Sequence, residues 1–152
     1  MWNDQKSLAL SKWAVRFFLA VLVTFDLGGY WIVKWFINFS RYEPINDLRH
    51  GILFMVTLYA ASIPAYLILY CLYRLLCNIG EGEIFILQNV KALRASSWCC
   101  ISAALICLAS SFYYVPFLAI CVAAAFMALI IRIIKNVFEQ ALLMKAELDL
   151  TV

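Results

Sequence analysis

The chain has 152 residues, 66% of them Ala, Val, Ile, Leu, Met, Phe, Trp, Tyr or Cys and only 14% charged, with a formal net charge of +3. An ordinary soluble domain carries roughly 45–50% apolar and about 25% charged residues, so a water-soluble globule is excluded, because one core of this size cannot cover that much apolar surface. A disordered chain and a strongly basic nucleic-acid binder are excluded as well. The composition predicts an all-α integral membrane protein.

Four apolar stretches reach the length that a helix rising 1.5 Å per residue needs to cross a core of about 30 Å. The first covers about 13–33, opens on Lys12 and Arg16, and is interrupted once, by Asp26. Its basic front resembles a secretory signal, but the apolar part is too long for one and no cleavage pattern follows. The stretch from Tyr30 to Phe39 runs past what this span needs and reads as its continuation or as an interfacial helix. The second span covers about 51–73, between His50 and Arg74, with Pro64 inside. The third covers about 95–114 and the fourth 116–131. Almost nothing separates these two, so they form an antiparallel hairpin in which Pro116 suits the first turn of the last helix.

Orientation follows from the basic residues. Lys6, Lys12 and Arg16 precede or open the first span; Arg74, Lys91 and Arg94 lie between the second and third; Arg132, Lys135 and Lys145 follow the fourth. These nine face three on the other side, Lys34, Arg41 and Arg49. The bias places both termini in the cytoplasm, with the spans in a bacterial inner membrane. Trp13, Trp31, Trp35, Tyr73, Trp98 and Tyr114 fall near span ends, where amphipathic rings prefer the interface.

The residues that bear on chemistry are few. Five of the six cysteines lie inside spans and Cys77 lies just beyond one, so they read as packing residues. No HExxH, GxSxG or phosphate-binding glycine loop is present, His50 is the only histidine, and no enzyme activity or cofactor is expected. Asp26 has the strongest claim, since a carboxylate at mid-span costs about 2.5–3.5 kcal/mol on insertion scales. Its expected partners are Ser62, Tyr59 or Tyr66 on the second helix. Small multidrug-resistance transporters also have four helices and a carboxylate in the first, so a proton-coupled transporter centred on Asp26 is one alternative function. An immunity protein against a membrane-active peptide, acting through the outer loop, is another.

Two segments on the predicted cytoplasmic side carry more information. Gly80-Glu81-Gly82-Glu83 turns into an amphipathic stretch, and acids at its start and bases at its end predict a short helix over 83–94. In the tail, over 132–152, Val137, Phe138, Ala141, Leu142 and Met144 recur near helical period. The fourth helix is therefore expected to project into the cytoplasm as a docking surface formed by these five residues with Asp149 and Thr151.

The Gly82-Glu83-Ile84-Phe85 turn, the following Asn89-Val90-Lys91-Ala92-Leu93-Arg94, and the ending Asn136-Val137-Phe138-Glu139-Gln140-Ala141 with Lys145 to Val152 resemble the YoaS-type family of small bacterial four-helix membrane proteins of unknown function. The resemblance covers nearly the whole chain, apart from an apolar Leu148 and Leu150 where polar residues are more usual. It implies a regulatory or anchoring partner for a small cytoplasmic helix-turn-helix regulator, and it supplies no catalytic or cofactor residues. The partners expected from this reading are the lipid bilayer, that regulator protein and a second copy of the chain as a homo-oligomer, without direct contact to nucleic acid.

Overall fold

The computed structural model describes residues 4–39, 48–82 and 84–150. It is built from four helices: α1 (Asp4–Phe39), α2 (Leu48–Gly80), α3 (Leu87–Ser110) and α4 (Pro116–Leu150). Each is long and apolar enough to cross a membrane. The protein is a multi-pass membrane protein.

Hydropathy marks only the apolar middle of each helix, and three of the helices run well beyond it. α1 has 36 residues, α2 has 33 and α4 has 35, so each measures about 50 Å or more at 1.5 Å per residue. Tyr30 to Phe39 is the unbroken continuation of α1. The short helix expected over 83–94 is not a separate element. Helix begins at Leu87, after an extended Ile86, and continues without a break to Ser110. The third span accordingly ends at Ser110, where Ser111 to Tyr113 turn the chain and Pro116 opens α4.

Among the described residues the extensive contacts run α1 on α2, α2 on α3 and α3 on α4. The helices form a row rather than a closed ring. α3 is one of the two inner members, with α2, and its buried positions Leu93, Ser97, Cys100, Ala104 and Cys107 recur with the alternating three- and four-residue spacing of a helix seam. Most of these side chains are small. Lipid provides no hydrophobic drive between helices, so small residues that permit close packing and polar groups that bond across helices hold such a bundle. The Ser97 hydroxyl donates to the Ala128 carbonyl of α4 at 3.2 Å, and the Thr57 hydroxyl of α2 pairs with that of Ser110 at 2.8 Å.

Side-chain contacts fix the antiparallel order. At one end the Lys12 ammonium lies against Gly80, Arg16 donates to the Tyr73 hydroxyl at 3.2 Å, and the rings of Phe85 and Phe138 are 5.7 Å apart. At the other, Phe54 packs against Tyr113, Tyr114 and Phe117 with centroids 5.2–5.7 Å apart. The start of α1 and the end of α4 therefore share one face of the bundle, together with the connection from α2 to α3. The large apolar side chains left outward, such as Trp13, Phe18, Leu27 and Trp31, form the surface that lipid covers.

Candidate functional site

Two places bring together the residues singled out from sequence. The first is the polar contact between α1 and α2. Asp26 is half-buried, and the Tyr66 hydroxyl donates to its Oδ2 at 2.9 Å. Tyr59, one helical repeat away, donates instead to the main-chain carbonyl of Asp26 at 3.1 Å. That bond depends on Gly29: a Cβ there would lie 3.2 Å from the Tyr59 hydroxyl and 3.3 Å from Leu58, closer than the two helices can accept without shifting. Ser62 is buried but turns back on its own helix, donating to the Tyr59 carbonyl at 2.9 Å. The carboxyl group of Asp26 thus meets Tyr66 and not Ser62. Ten residues, or about 15 Å of helix, separate it from Arg16 nearer the bundle end. The arrangement is chemically a hydrogen-bonded clasp, one acceptor and one phenol donor deep in the span.

The second place is the face bearing the start of α1 and the end of α4. Gly80, Glu81 and Gly82 close α2 with bonds from the Glu81 amide to the Cys77 and Asn78 carbonyls and from the Gly82 amide to that of Ile79. Gly82 has φ +82°, a left-handed conformation that glycine adopts without penalty. The loop is then locked from within. Asn89, fully buried, accepts from the Asn78 side chain at 2.7 Å and donates to the Ile84 carbonyl at 2.8 Å. These bonds explain why helix starts at Leu87, since residues 84–86 must curl back to put the Ile84 carbonyl over the Asn89 amide.

The extension of α4 rests on this loop. Phe138 packs on Phe85, Glu139 forms an ion pair with Arg94 at 3.5 Å and a shorter one with Lys135. The hydrogen bond from Lys135, joined by the charges of Lys135 and Arg94, holds the Glu139 carboxyl below the usual carboxylate range against the opposing effect of desolvation. The seven residues expected to form one docking surface are split by this packing. Phe138, Ala141 and Leu142 are half-buried, while Val137 and Met144 are exposed, as are Leu143 and Leu148 beside them. The side chain of Asp149 and the whole of Thr151 lie outside the described residues, as does the 40–47 connection on which an immunity role would rest.

Sequence reasoning used Asn89 only as part of a family resemblance and gave it no structural role. It also used Arg94, Arg132 and Lys135 only as orientation charges, although α3 and α4 bring the three together. Their positions flanking a hairpin of known length were the signal available.

These features define a class: a four-helix, multi-pass membrane protein with a structured loop-and-tail module on the face that carries the start of α1 and the end of α4. Residues 11–152 match the model of a family described as a protein of unknown function, DUF2975, and the chain belongs to that family. No curated protein and no solved structure matches it.

Proposed function

We propose that the protein is a bacterial inner-membrane anchor or regulatory partner, and that the loop-and-tail face is cytoplasmic and binds a small helix-turn-helix regulator. One observation carries this reading. From Pro116, about 20 residues suffice to cross the hydrocarbon core, yet α4 stays helical to Leu150, and its outer part is braced by Phe85 and Arg94 while Val137, Met144 and Leu148 remain exposed. A helix already ordered spares its partner much of the entropy of folding on contact. An amphipathic helix with apolar residues on one side is a common recognition element.

The test is co-expression with a small helix-turn-helix regulator of the kind found beside members of the resembling family, followed by separation of membranes. With the intact protein the regulator sediments with the membrane. The Val137→Asp, Met144→Asp double variant, which places two charges on the outward face without touching Phe138, is expected to release at least tenfold more of it into the soluble fraction. A regulator that stays soluble beside the intact protein, or stays bound beside the double variant, overturns the proposal. Proton-coupled transport centred on Asp26 is the competing reading, favoured by the position of its carboxyl group at mid-span.

A further inference from the structure

We infer that the cleft between α3 and α4 is a seat for an anionic phospholipid, its phosphodiester held by Arg94 and Arg132 and one acyl chain lying in the groove below. Two cavities make up this cleft. One, of about 190 Å³, is lined by Arg94, Ser97, Trp98, Ile101, Arg132 and Lys135. The other, of about 390 Å³, runs along the two helices and is lined by apolar residues that include Leu105 and Leu108 of α3 and Ala125 and Leu129 of α4. Ser97, Ile101 and Arg132 line both, so the polar chamber opens into the apolar groove.

Depth places each part where the corresponding part of a lipid lies. Arg132 is sixteen residues beyond Pro116, and Arg94 sixteen residues before Ser110. Both are about 24 Å from the opposite end of the hairpin, near the edge of a core of about 30 Å. Trp98 is 64% exposed beside them, in the position of an interfacial ring. Leu105 and Leu129, each 60% exposed, flank a groove open toward the bilayer.

Charge decides which headgroup fits. Three cations line the upper chamber, and Glu139 is the carboxylate that pairs with two of them, Arg94 and Lys135. Among the described residues Arg132 has no carboxylate partner, and the cluster keeps a net charge of about two. A guanidinium presents paired N–H donors that match phosphate oxygens, and basic pockets between membrane helices at the interface are suited to acidic headgroups. A zwitterionic lipid brings its own cation into a cluster whose carboxylate is already engaged. Free phosphate satisfies the guanidinium groups but leaves the groove unfilled, so the cleft favours phosphate attached to a hydrocarbon chain.

The experiment uses the full-length protein in nanodiscs of phosphatidylcholine, into which brominated phosphatidylglycerol or brominated phosphatidylcholine is titrated. Bromine quenches nearby tryptophan, and subtraction of the Trp98→Phe protein isolates the signal of Trp98. Quenching by the phosphatidylglycerol is expected at roughly tenfold lower mole fraction than by the phosphatidylcholine, the scale set by two basic side chains near an acidic headgroup. Arg132→Gln should reduce that preference to threefold or less. Ala125→Phe keeps every charge but fills the groove, and should weaken phosphatidylglycerol binding by a similar factor. Equal quenching by the two lipids overturns the inference, as does a full preference retained by either variant. Inorganic phosphate at millimolar concentration should leave the lipid titration unchanged; displacement of the lipid by phosphate would make this a soluble-anion site. Circular dichroism and size-exclusion profiles equal to those of the unmodified protein qualify each variant, and Arg94→Gln replaces Arg132→Gln if the latter fails to fold.

Discussion

At the scale of single residues, the clasp between Asp26 and Tyr66 has two unequal halves. Asp26→Asn keeps an acceptor for the phenol, so its cost should stay below the average worth of a membrane hydrogen bond, about 0.6 kcal/mol. Tyr66→Phe removes the donor and leaves a polar carboxyl group in the span without it, which costs about 1–3 kcal/mol. Unfolding of the purified protein in mild detergent should therefore rank Tyr66→Phe as the more damaging change. A reversed order, or loss of a proton-driven flux in Asp26→Asn at normal protein level, would show that the carboxyl group does more than accept a bond and would favour transport. The candidates for this contact were legible in the sequence because Tyr59, Ser62 and Tyr66 lie on a neighbouring span. Which of them meets the carboxyl group was not, since the register of α1 on α2 depends on the close approach at Gly29, a tertiary fact that no single-helix pattern encodes.

At the scale of elements, the hydropathy of the spans was readable and their polar extensions were less so. The tail illustrates why. Its helical period was visible, but period alone does not say which part of the apolar surface turns toward the protein; Phe85 and Arg94 settle that by holding Phe138 and Glu139. Glu139 also makes the extension of α4 acid-sensitive. Its carboxyl is held below the ordinary range chiefly by the hydrogen bond from Lys135 of the same helix, and least by the charge of Arg94 across the contact. The stabilisation is thus fully present above the ordinary carboxylate value and is lost as pH falls through the lowered one. Hydrogen exchange of residues 136–148, corrected for the intrinsic pH dependence of the amides, should show protection constant from neutral pH down to the ordinary carboxylate range and falling below it. Glu139→Gln should start with less protection and lose the acid step. An acid step of unchanged size in that variant would assign the sensitivity to another group.

At the scale of the whole molecule, a row of four helices with the start of α1 and the end of α4 on one face has a simple consequence for insertion: the sidedness of one fixes that of the other. The sequence count of nine basic residues in segments assigned to that face against three in the connection between α1 and α2 predicts, under the positive-inside rule, that it is the cytoplasmic one. Such a bias is spread over three separate segments, so no one of them should control it. Replacing both Arg74 and Lys91 by Gln leaves seven against three, and the orientation should hold. In a background whose native cysteines are replaced, a cysteine introduced at the exposed Val115 of the hairpin turn should react with a membrane-impermeant maleimide in intact cells. One at Lys145, on the extension of α4, should react only after the membrane is opened. Labelling of position 145 in intact cells would reverse the orientation and remove the tail from any cytoplasmic partner. It would leave the lipid cleft in place, because that cleft depends on depth in the bilayer and on charge, and both leaflets offer it acyl chains.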